Sequence, residues 1–259
     1  MKWNDLKFKR YMEAGLAVLL ALTLGLAGMT GALSPEAEGT GQAEASAGAQ
    51  AASGGSEETD PADSGTAQES SAPSAVQETA ADGQYPIMGS SSVTVQEMVD
   101  YFNASGESYP EEELSAGGAD NIETFCQMYY EEAAAEGVRP EVAFAQTMKE
   151  TGFLQYGGDA SVEQFNFAGL GTTGNGVPGN SYPDVQTGIR AQIQHLKAYA
   201  TADPLNGECV DDRYEYVKKG SAPYVQWLGQ QENPEGLGWA TGDNYGYDIV
   251  EMIEDMVHS

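Results

Sequence analysis

Three polar residues on one predicted helix have the spacing needed for acid–base chemistry. Gln146, Lys149 and Glu150 form a polar stripe within residues 139–152, and Gln146 and Glu150 lie four residues apart. Side chains at that separation share one face of an α-helix. In the last helical turn a carboxylate meets the negative end of the helix dipole, and partial burial disfavours its charge further. Both effects raise the pKa of Glu150, as a general acid working near neutral pH requires. The alternative is a solvated glutamate at a frayed helix end.

The residues around this stripe predict a short buried helix. Pro140 suits a first helical turn, where its missing N–H costs nothing, and Gly152 suits a left-handed stop. The apolar residues between them spread around most of the helix circumference: Val142, Ala143, Phe144, Ala145 and Met148. A helix that is apolar nearly all round belongs inside a core. We therefore expect the fold to be organised around this helix.

Apolar residues at helical spacing predict four more helices. Thr94 and Glu97 form a capping-box pair before the first of these helices, and Asp120 with Glu123 resembles the cap of the second. The other two helices are predicted over residues 185–200 and 243–257.

The remaining folded sequence is predicted to be mostly loop. Residues 105–118 are rich in Gly and Pro, and residues 157–184 are dense in Gly, Asn and Thr. A loop as long as the second one is usually functional in a compact domain. The sequence therefore indicates a mainly α domain over about residues 88–259, with long loops and little sheet.

The N-terminal third of the chain has a different composition. Residues 1–13 are basic, and residues 14–33 contain no charged side chain and are rich in Leu, Ala and Gly. This pattern predicts export, either by a signal peptide with a weak cleavage site at Thr30-Gly31-Ala32 or by an uncleaved membrane anchor. Residues 34–84 form an acidic, low-complexity linker without Lys, Arg or aromatic residues, so we expect a disordered tether. The folded part would lie outside the cell or at the cell-wall face, free or anchored by residues 14–33.

The charge balance excludes several classes of partner. The formal net charge is −29, which repels nucleic acid and anionic membrane surfaces. Neither a zinc-type Cys/His spacing nor a phosphate-binding Gly-Lys-Ser/Thr loop occurs in the sequence. We expect no metal, no cofactor and no nucleic acid partner, with membrane contact only through the N-terminal segment, and a monomer.

The two cysteines and one internal histidine have less definite roles. In an oxidising compartment Cys126 and Cys209 are expected to form a disulfide. The alternative is that Cys126, on an apolar helical stripe, is a free core thiol. His195 lies about 100° from the apolar stripe of its helix, so we expect it at the surface or at the boundary of the core, and not in a catalytic role.

Four segments, taken in order, resemble the glucosaminidase family of bacterial peptidoglycan hydrolases (glycoside hydrolase family 73). They are Gln146-Thr147-Met148-Lys149-Glu150-Thr151-Gly152, Asn166-Phe167-Ala168-Gly169-Leu170, Tyr182-Pro183-Asp184 and Trp239-Ala240-Thr241-Gly242-Asp243-Asn244-Tyr245. The resemblance covers about residues 121–257. It implies a lysozyme-like, two-lobed α-fold and cleavage of the β-1,4 bond after N-acetylglucosamine in peptidoglycan glycan strands. On this interpretation residues 120–259 form the catalytic domain and residues 85–119 a helical extension of it.

The resemblance also implies catalytic roles. Glu150 matches the family's catalytic acid. Glycoside hydrolysis usually needs a second carboxylate, and Asp184 is the candidate, either as a base for water or as a stabiliser of the oxocarbenium ion. Asp184 could instead cap the following helix. Asp159 and Glu163 are alternatives, and the acetamido group of the substrate could make a second carboxylate unnecessary.

The same motifs imply a set of substrate-binding residues: Gln146, Asn166, Phe167, Gly169, Tyr182, Trp239 and Tyr245. Two aromatic residues depart from the family pattern, because Phe153 stands where Trp is common and Trp239 where Tyr is usual. Both changes keep an aromatic ring, which could stack on a sugar or belong to the core. Two other functions stay open at this point, a non-catalytic wall-binding module and a lytic transglycosylase.

Overall fold

The computed structural model of the protein describes residues 83–173 and 176–258. The predicted signal segment and nearly all of the predicted acidic linker lie outside these residues. Among the helices in the described ranges, none is both long and apolar enough to cross a membrane.

Helices account for the regular structure of the described residues. They are α1 (Val95–Ser105), α2 (Glu111–Ala116), α3 (Ile122–Glu136), α4 (Pro140–Thr151), α5 (Val185–Ala200) and α6 (Tyr245–Val257), with 3-10 turns at Val162–Gln164, Tyr214–Tyr216 and Val225–Leu228. No strand forms in these two ranges, where β-pairing is limited to isolated bridges such as Met88 with Val138. The prediction of a mainly α fold is confirmed.

Helix α4 lies at the centre of the fold. It packs against α3, α5 and α6, and all twelve of its residues are buried. It begins with Pro140 in its first turn and ends at Gly152, whose φ of 59° is left-handed, as predicted. The polar stripe is buried along with the apolar residues, because α3, α5 and α6 all pack against α4.

The predicted helix boundaries hold where the capping contacts are local. The Thr94–Glu97 capping box forms at the start of α1. The cap of α3 was predicted one residue early, because Asn121 and not Asp120 accepts the Thr124 N–H, at 2.8 Å.

Two further boundaries differ from the prediction. Helix α2 lies within residues 105–118, which were predicted as a loop, and Leu114 anchors it in the core. Helix α6 begins at Tyr245, two residues later than predicted, because the backbone of Asn244 is left-handed with a φ of 60°. The Asn244 N–H donates instead to the Glu232 carboxylate at 2.8 Å.

The segment before α3 contributes to the same hydrophobic core as the helices that follow it. Ile87, Met98 and Phe102 are at most 1% exposed and belong to the main core cluster. The Tyr85 carbonyl also accepts the backbone N–H of Val225 at 2.8 Å. Residues 85–119 are therefore packed into the domain through side-chain and backbone contacts.

The predicted disulfide is wrong, because Cys126 and Cys209 are both free thiols. The apolar stripe of α3 carries Cys126 into the core, where it is fully buried, and burial raises its pKa well above the ordinary value. Cys209 lies on an exposed loop, and its Sγ donates to the Asp211 carbonyl at 3.3 Å. The two side chains are thus held in different environments and do not meet.

The thiols should differ in reactivity. In the native protein we expect Cys209 to react with a thiol reagent at least about tenfold faster than Cys126, since reaction requires an accessible thiolate. Denatured, unreduced protein should show two titratable thiols, and Cys209→Ser should remove only the fast phase. Finding no titratable thiol in the denatured, unreduced protein would show instead that Cys126 and Cys209 form a disulfide.

Candidate active site

Glu150 lies in the last turn of α4 at the wall of a small cavity. Its side chain is almost enclosed, with the residue 7% exposed. The other residues lining the cavity come from the helix end and the following loop: Thr151, Tyr156, Gly158, Ala160, Asn166 and Gly169. A carboxyl group is thus presented to a partly enclosed space large enough for only part of a ligand.

Burial controls the charge of Glu150. It raises the pKa of this carboxyl to about 7, while the hydrogen bond from Tyr245 and the positive charge of Lys149 lower the pKa without cancelling the burial effect. Near neutral pH a large fraction of the protein therefore carries a protonated Glu150. A proton held at that pKa can be transferred to a leaving group at physiological pH.

A chain of buried hydrogen bonds orients the Glu150 carboxyl. The Tyr245 hydroxyl donates to Glu150 Oε1, and Gln146 Nε2 donates to the Tyr245 hydroxyl oxygen at 3.0 Å. Gln192 Nε2 then donates to Gln146 Oε1 at 2.9 Å. Burial and the nearby Glu150 raise the pKa of Tyr245 well above its ordinary value, so the phenol stays a donor. The catalytic candidate is thereby fixed to helices α4, α5 and α6.

Gln192 is the centre of this buried chain, and sequence reasoning did not identify it. Its Nε2 also donates to the Ala143 carbonyl at 2.9 Å. Its Oε1 accepts from the hydroxyls of Thr147 and Tyr129, at 2.9 and 2.8 Å. All four hydrogen-bonding positions of the amide are therefore used. The available signal was a glutamine between apolar positions of α5, which does not reveal its partners.

Lys149 lies over the ring of Tyr245 and is paired with Asp248. It is 1% exposed, its Nζ lies 2.9 Å from Asp248 Oδ2, and it lies 5.5 Å from the centre of the Tyr245 ring. Tyr245 and Asp248 are three residues apart on α6 and so share a face. The ion pair and the ring contact together limit the movement of Tyr245 relative to Glu150.

Asn166 shapes the loop that closes the cavity. Its Nδ2 donates to the carbonyls of Leu170 and Asn180, at 2.9 and 3.1 Å, and its Oδ1 accepts the Leu170 N–H at 2.9 Å. Gly169, within this turn, has a left-handed φ of 62°. The predicted site residues Asn166 and Gly169 thus both line the cavity, and the amide of Asn166 is largely engaged in holding the loop.

Phe167 does not fit the stacking role predicted for it. The residue is 1% exposed, and its ring packs edge-on against Phe125 with centroids 5.1 Å apart. It is a core residue, because the turn at Asn166 directs the next side chain inward between α3 and the loop. Within this motif Asn166 and Gly169 line the cavity, whereas Phe167 does not.

Trp239 lies against a second buried group, His195. The Trp239 ring, in a residue 6% exposed, packs edge-to-face with His195 at 4.8 Å between centroids. His195 is 8% exposed and its Nδ1 lies 2.6 Å from Asp211 Oδ2, so it is more buried than the expected surface or boundary position. The loop carrying Asp211 covers this flank of α5, which helical periodicity could not foresee. Tyr182 is half-buried, and its hydroxyl accepts from Asn180 at 3.3 Å.

The candidates for a second carboxylate occupy different positions. Asp184 caps α5, with its Oδ1 accepting the Thr187 N–H at 2.7 Å. Asp159 and Glu163 are exposed, and Asp159 lies between the cavity-lining residues Gly158 and Ala160. A catalytic role for Asp184 stays a prediction, since its cap already accounts for an aspartate at that position.

Comparison with known proteins identifies the class of protein. The glucosaminidase family model, described as mannosyl-glycoprotein endo-beta-N-acetylglucosaminidase, matches residues 126–257, about half of the chain. The chain belongs to this glucosaminidase family. It is also similar to an uncharacterized protein of Borreliella burgdorferi, with 43% identity over 104 residues, or 40% of this chain and 51% of that protein. The chain thus spans about half the length of this curated relative, and no solved structure matches it significantly.

Removing the Tyr245 hydroxyl should change both rate and pH dependence. In Tyr245→Phe, Glu150 loses the donor that lowers its pKa, so the alkaline limb of the activity profile should move to higher pH. We expect kcat/KM on purified cell walls to fall about 10- to 100-fold because the carboxyl is no longer oriented. Tyr247→Phe, with an exposed ring two residues along the same helix, is the matched control and should leave both unchanged. An unshifted pH profile in Tyr245→Phe would contradict this role.

Glu150 should also make stability depend on pH. Its pKa rises from 4.5 to about 7 in the folded state, so the folded chain binds more protons than the unfolded chain between those values. The contribution of Glu150 to stability is therefore complete below about pH 4.5 and is lost as the pH rises through 7. Relative to wild type, we expect Glu150→Gln to gain up to about 3 kcal/mol of unfolding free energy at pH 8 and little at pH 4.

Denaturant unfolding of both proteins across this pH range measures that difference. Glu254→Gln, an exposed site on α6, controls for the loss of one negative charge. A difference between wild type and Glu150→Gln that stays constant from pH 4 to 8 would show that the Glu150 pKa is not raised.

Proposed function

We propose that this protein hydrolyses the β-1,4 glycosidic bond after N-acetylglucosamine in peptidoglycan glycan strands, with Glu150 as the general acid. One observation carries the proposal. In a member of the glucosaminidase family, Glu150 lines a cavity at a helix end and has a pKa of about 7. The family supplies the substrate class, and the protonated carboxyl supplies the chemistry for protonating a leaving sugar.

The two carboxyl oxygens of Glu150 have different surroundings. Oε1 accepts from Tyr245, whereas Oε2 has no hydrogen-bond partner among the described residues. In this proposal Oε2 carries the proton and donates it to the glycosidic oxygen as the bond to the anomeric carbon breaks. Tyr245 stays bonded to Oε1 and stabilises the carboxylate that forms.

The second half of the reaction needs a group to stabilise the oxocarbenium ion or to activate water. Among the described residues lining the cavity, Glu150 is the sole carboxylate. Asp159 is the best placed of the alternatives, because both of its neighbours line the cavity. Assistance by the acetamido group of the substrate would require no second carboxylate.

The cellular context is part of the proposal. The N-terminal sequence supports export, so the enzyme would act on the wall as a monomer outside the membrane, either released or anchored by residues 14–33. The strongly negative net charge supports the absence of nucleic acid partners.

Mass spectrometry of digested peptidoglycan tests the reaction. We expect new reducing N-acetylglucosamine ends from wild type, and a rate at least about 10²-fold lower for folded Glu150→Gln. Anhydromuramyl ends would instead identify a lytic transglycosylase, and the absence of products a wall-binding module. Glu254→Gln serves again as the charge control.

The same assay separates the candidate second carboxylates. Asp184→Asn keeps an N-cap acceptor, so it should fold and retain activity if Asp184 acts only as a cap. A loss of more than about 10²-fold in this variant, with the fold intact, would assign the second catalytic role to Asp184. Asp159→Asn and Glu163→Gln complete the comparison.

A further inference from the structure

Arg213 differs from every other Lys or Arg side chain in residues 83–173 and 176–258, because it has no carboxylate partner within ion-pair distance. The paired cations are Arg139, Lys149, Arg190, Lys197, Lys218 and Lys219. In a chain with a net charge of −29, an uncommitted guanidinium is unusual. Its position therefore indicates where an external anion could be bound.

The carboxylates next to Arg213 in sequence are bonded to other groups. Asp211 Oδ2 lies 2.6 Å from His195 Nδ1, and its Oδ1 accepts the backbone N–H of Arg213 at 2.9 Å. Asp212 Oδ1 accepts from Asn180 Nδ2 at 2.6 Å. The loop is thereby tied to α5 on one side and to the loop before α5 on the other, while the guanidinium stays available.

These contacts connect Arg213 to the candidate active site. The carbonyl of Asn180 accepts from Asn166 Nδ2 at 3.1 Å, and Asn166 lines the cavity beside Glu150. The positive charge of Arg213 also acts on Tyr182, whose pKa burial nevertheless raises to about 12. Asp212, the residue before Arg213, is thus joined through Asn180 to the cavity-lining Asn166, and the charge of Arg213 acts on a tyrosine of the family motif.

The surroundings of Arg213 suit a ligand that is partly apolar. Its guanidinium lies 5.4 Å from the centre of the Tyr216 ring. Tyr216 is 79% exposed, the most exposed of the large hydrophobic side chains in the described residues. A cation held over an aromatic face remains able to bind a carboxylate through its N–H groups. Arg213 and Tyr216 thus place a positively charged guanidinium group next to an exposed aromatic ring.

We propose that Arg213 binds a carboxylate of the peptide stem attached to the muramyl sugar next to the cleaved bond. This inference rests on the proposed function, because it assumes that the glycan lies in the cavity at Glu150. An extended stem advances about 3.3–3.6 Å per residue, so its carboxylates lie beyond the sugar and can reach a cation outside the cavity. The Arg213 fork matches a carboxylate geometrically, and Tyr216 contacts the aliphatic part of the stem. The enzyme then prefers peptide-bearing anionic strands over neutral N-acetylglucosamine polymers.

Paired substrates test this preference. Initial rates are measured on a muramyl-peptide oligomer, on the same oligomer with its stem carboxylates converted to methylamides, and on a chitooligosaccharide. We expect Arg213→Gln to lower kcat/KM about 10- to 100-fold on the first substrate and to leave the other two unchanged, since a charge-assisted hydrogen bond is lost only there. Arg213→Lys should recover part of the loss, because a lysine keeps the charge without the fork.

A charge control accompanies the Arg213 variants, and two results would contradict carboxylate binding by Arg213. Lys218→Gln removes one positive charge from an exposed pair five residues away and should not change the preference. An equal loss on all three substrates, or no loss on any, in a variant with unchanged thermal unfolding would overturn the carboxylate proposal. If the wild type cleaves none of the substrates, the proposed function fails instead.

Discussion

The buried hydrogen-bond chain from Gln192 to Glu150 is the constraint on which the rest of the structure depends. Burying a polar group without a partner costs about 1–3 kcal/mol, and more for a charged one. Gln192 avoids this cost only when α3, α4 and α5 occupy one relative arrangement, in which all four of its hydrogen bonds form. Through Gln146 and Tyr245 the same arrangement fixes α6 and the Glu150 carboxyl. Packing and site geometry are therefore determined together.

The protein controls carboxyl charge through the donors that each buried group receives. Burial by itself would raise the pKa of both Glu136 and Glu150. At Glu136 the backbone N–H groups of Asn206 and Gly207 and the Lys197 ammonium more than compensate, so its pKa is lowered and it stays ionised. Glu150 receives one phenolic donor and only a nearby Lys149 charge, so it keeps its proton. Glu136 thus stabilises a loop as a charge, whereas Glu150 is suited to proton transfer.

Features that depend on neighbouring residues in sequence could be predicted without the structure. Pro140 and Gly152 set the ends of α4, and Thr94 with Glu97 caps α1, because these conformations are decided within one or two helical turns. Glu150 was identified as a candidate acid because its buried helix places it in the last turn and because its motif resembles that of the glucosaminidase family. The mainly α class followed from the same periodicity.

Features that depend on contacts between distant segments needed the tertiary structure. In the sequence Gln192 is one polar residue of α5. Only the packing of α3, α4 and α5 shows that its side-chain amide links the three helices. Cys126 and Cys209 could be paired by composition, but the apolar stripe of α3 buries the first while the second lies on the surface. His195 was predicted at the surface or boundary and is buried, because periodicity does not reveal which loop covers a helix flank. The sequence by itself determined five of the six α-helices and the candidate acid, since these depend mainly on local sequence. Partners, burial and pKa were decided by the fold, because each depends on which side chains meet in space.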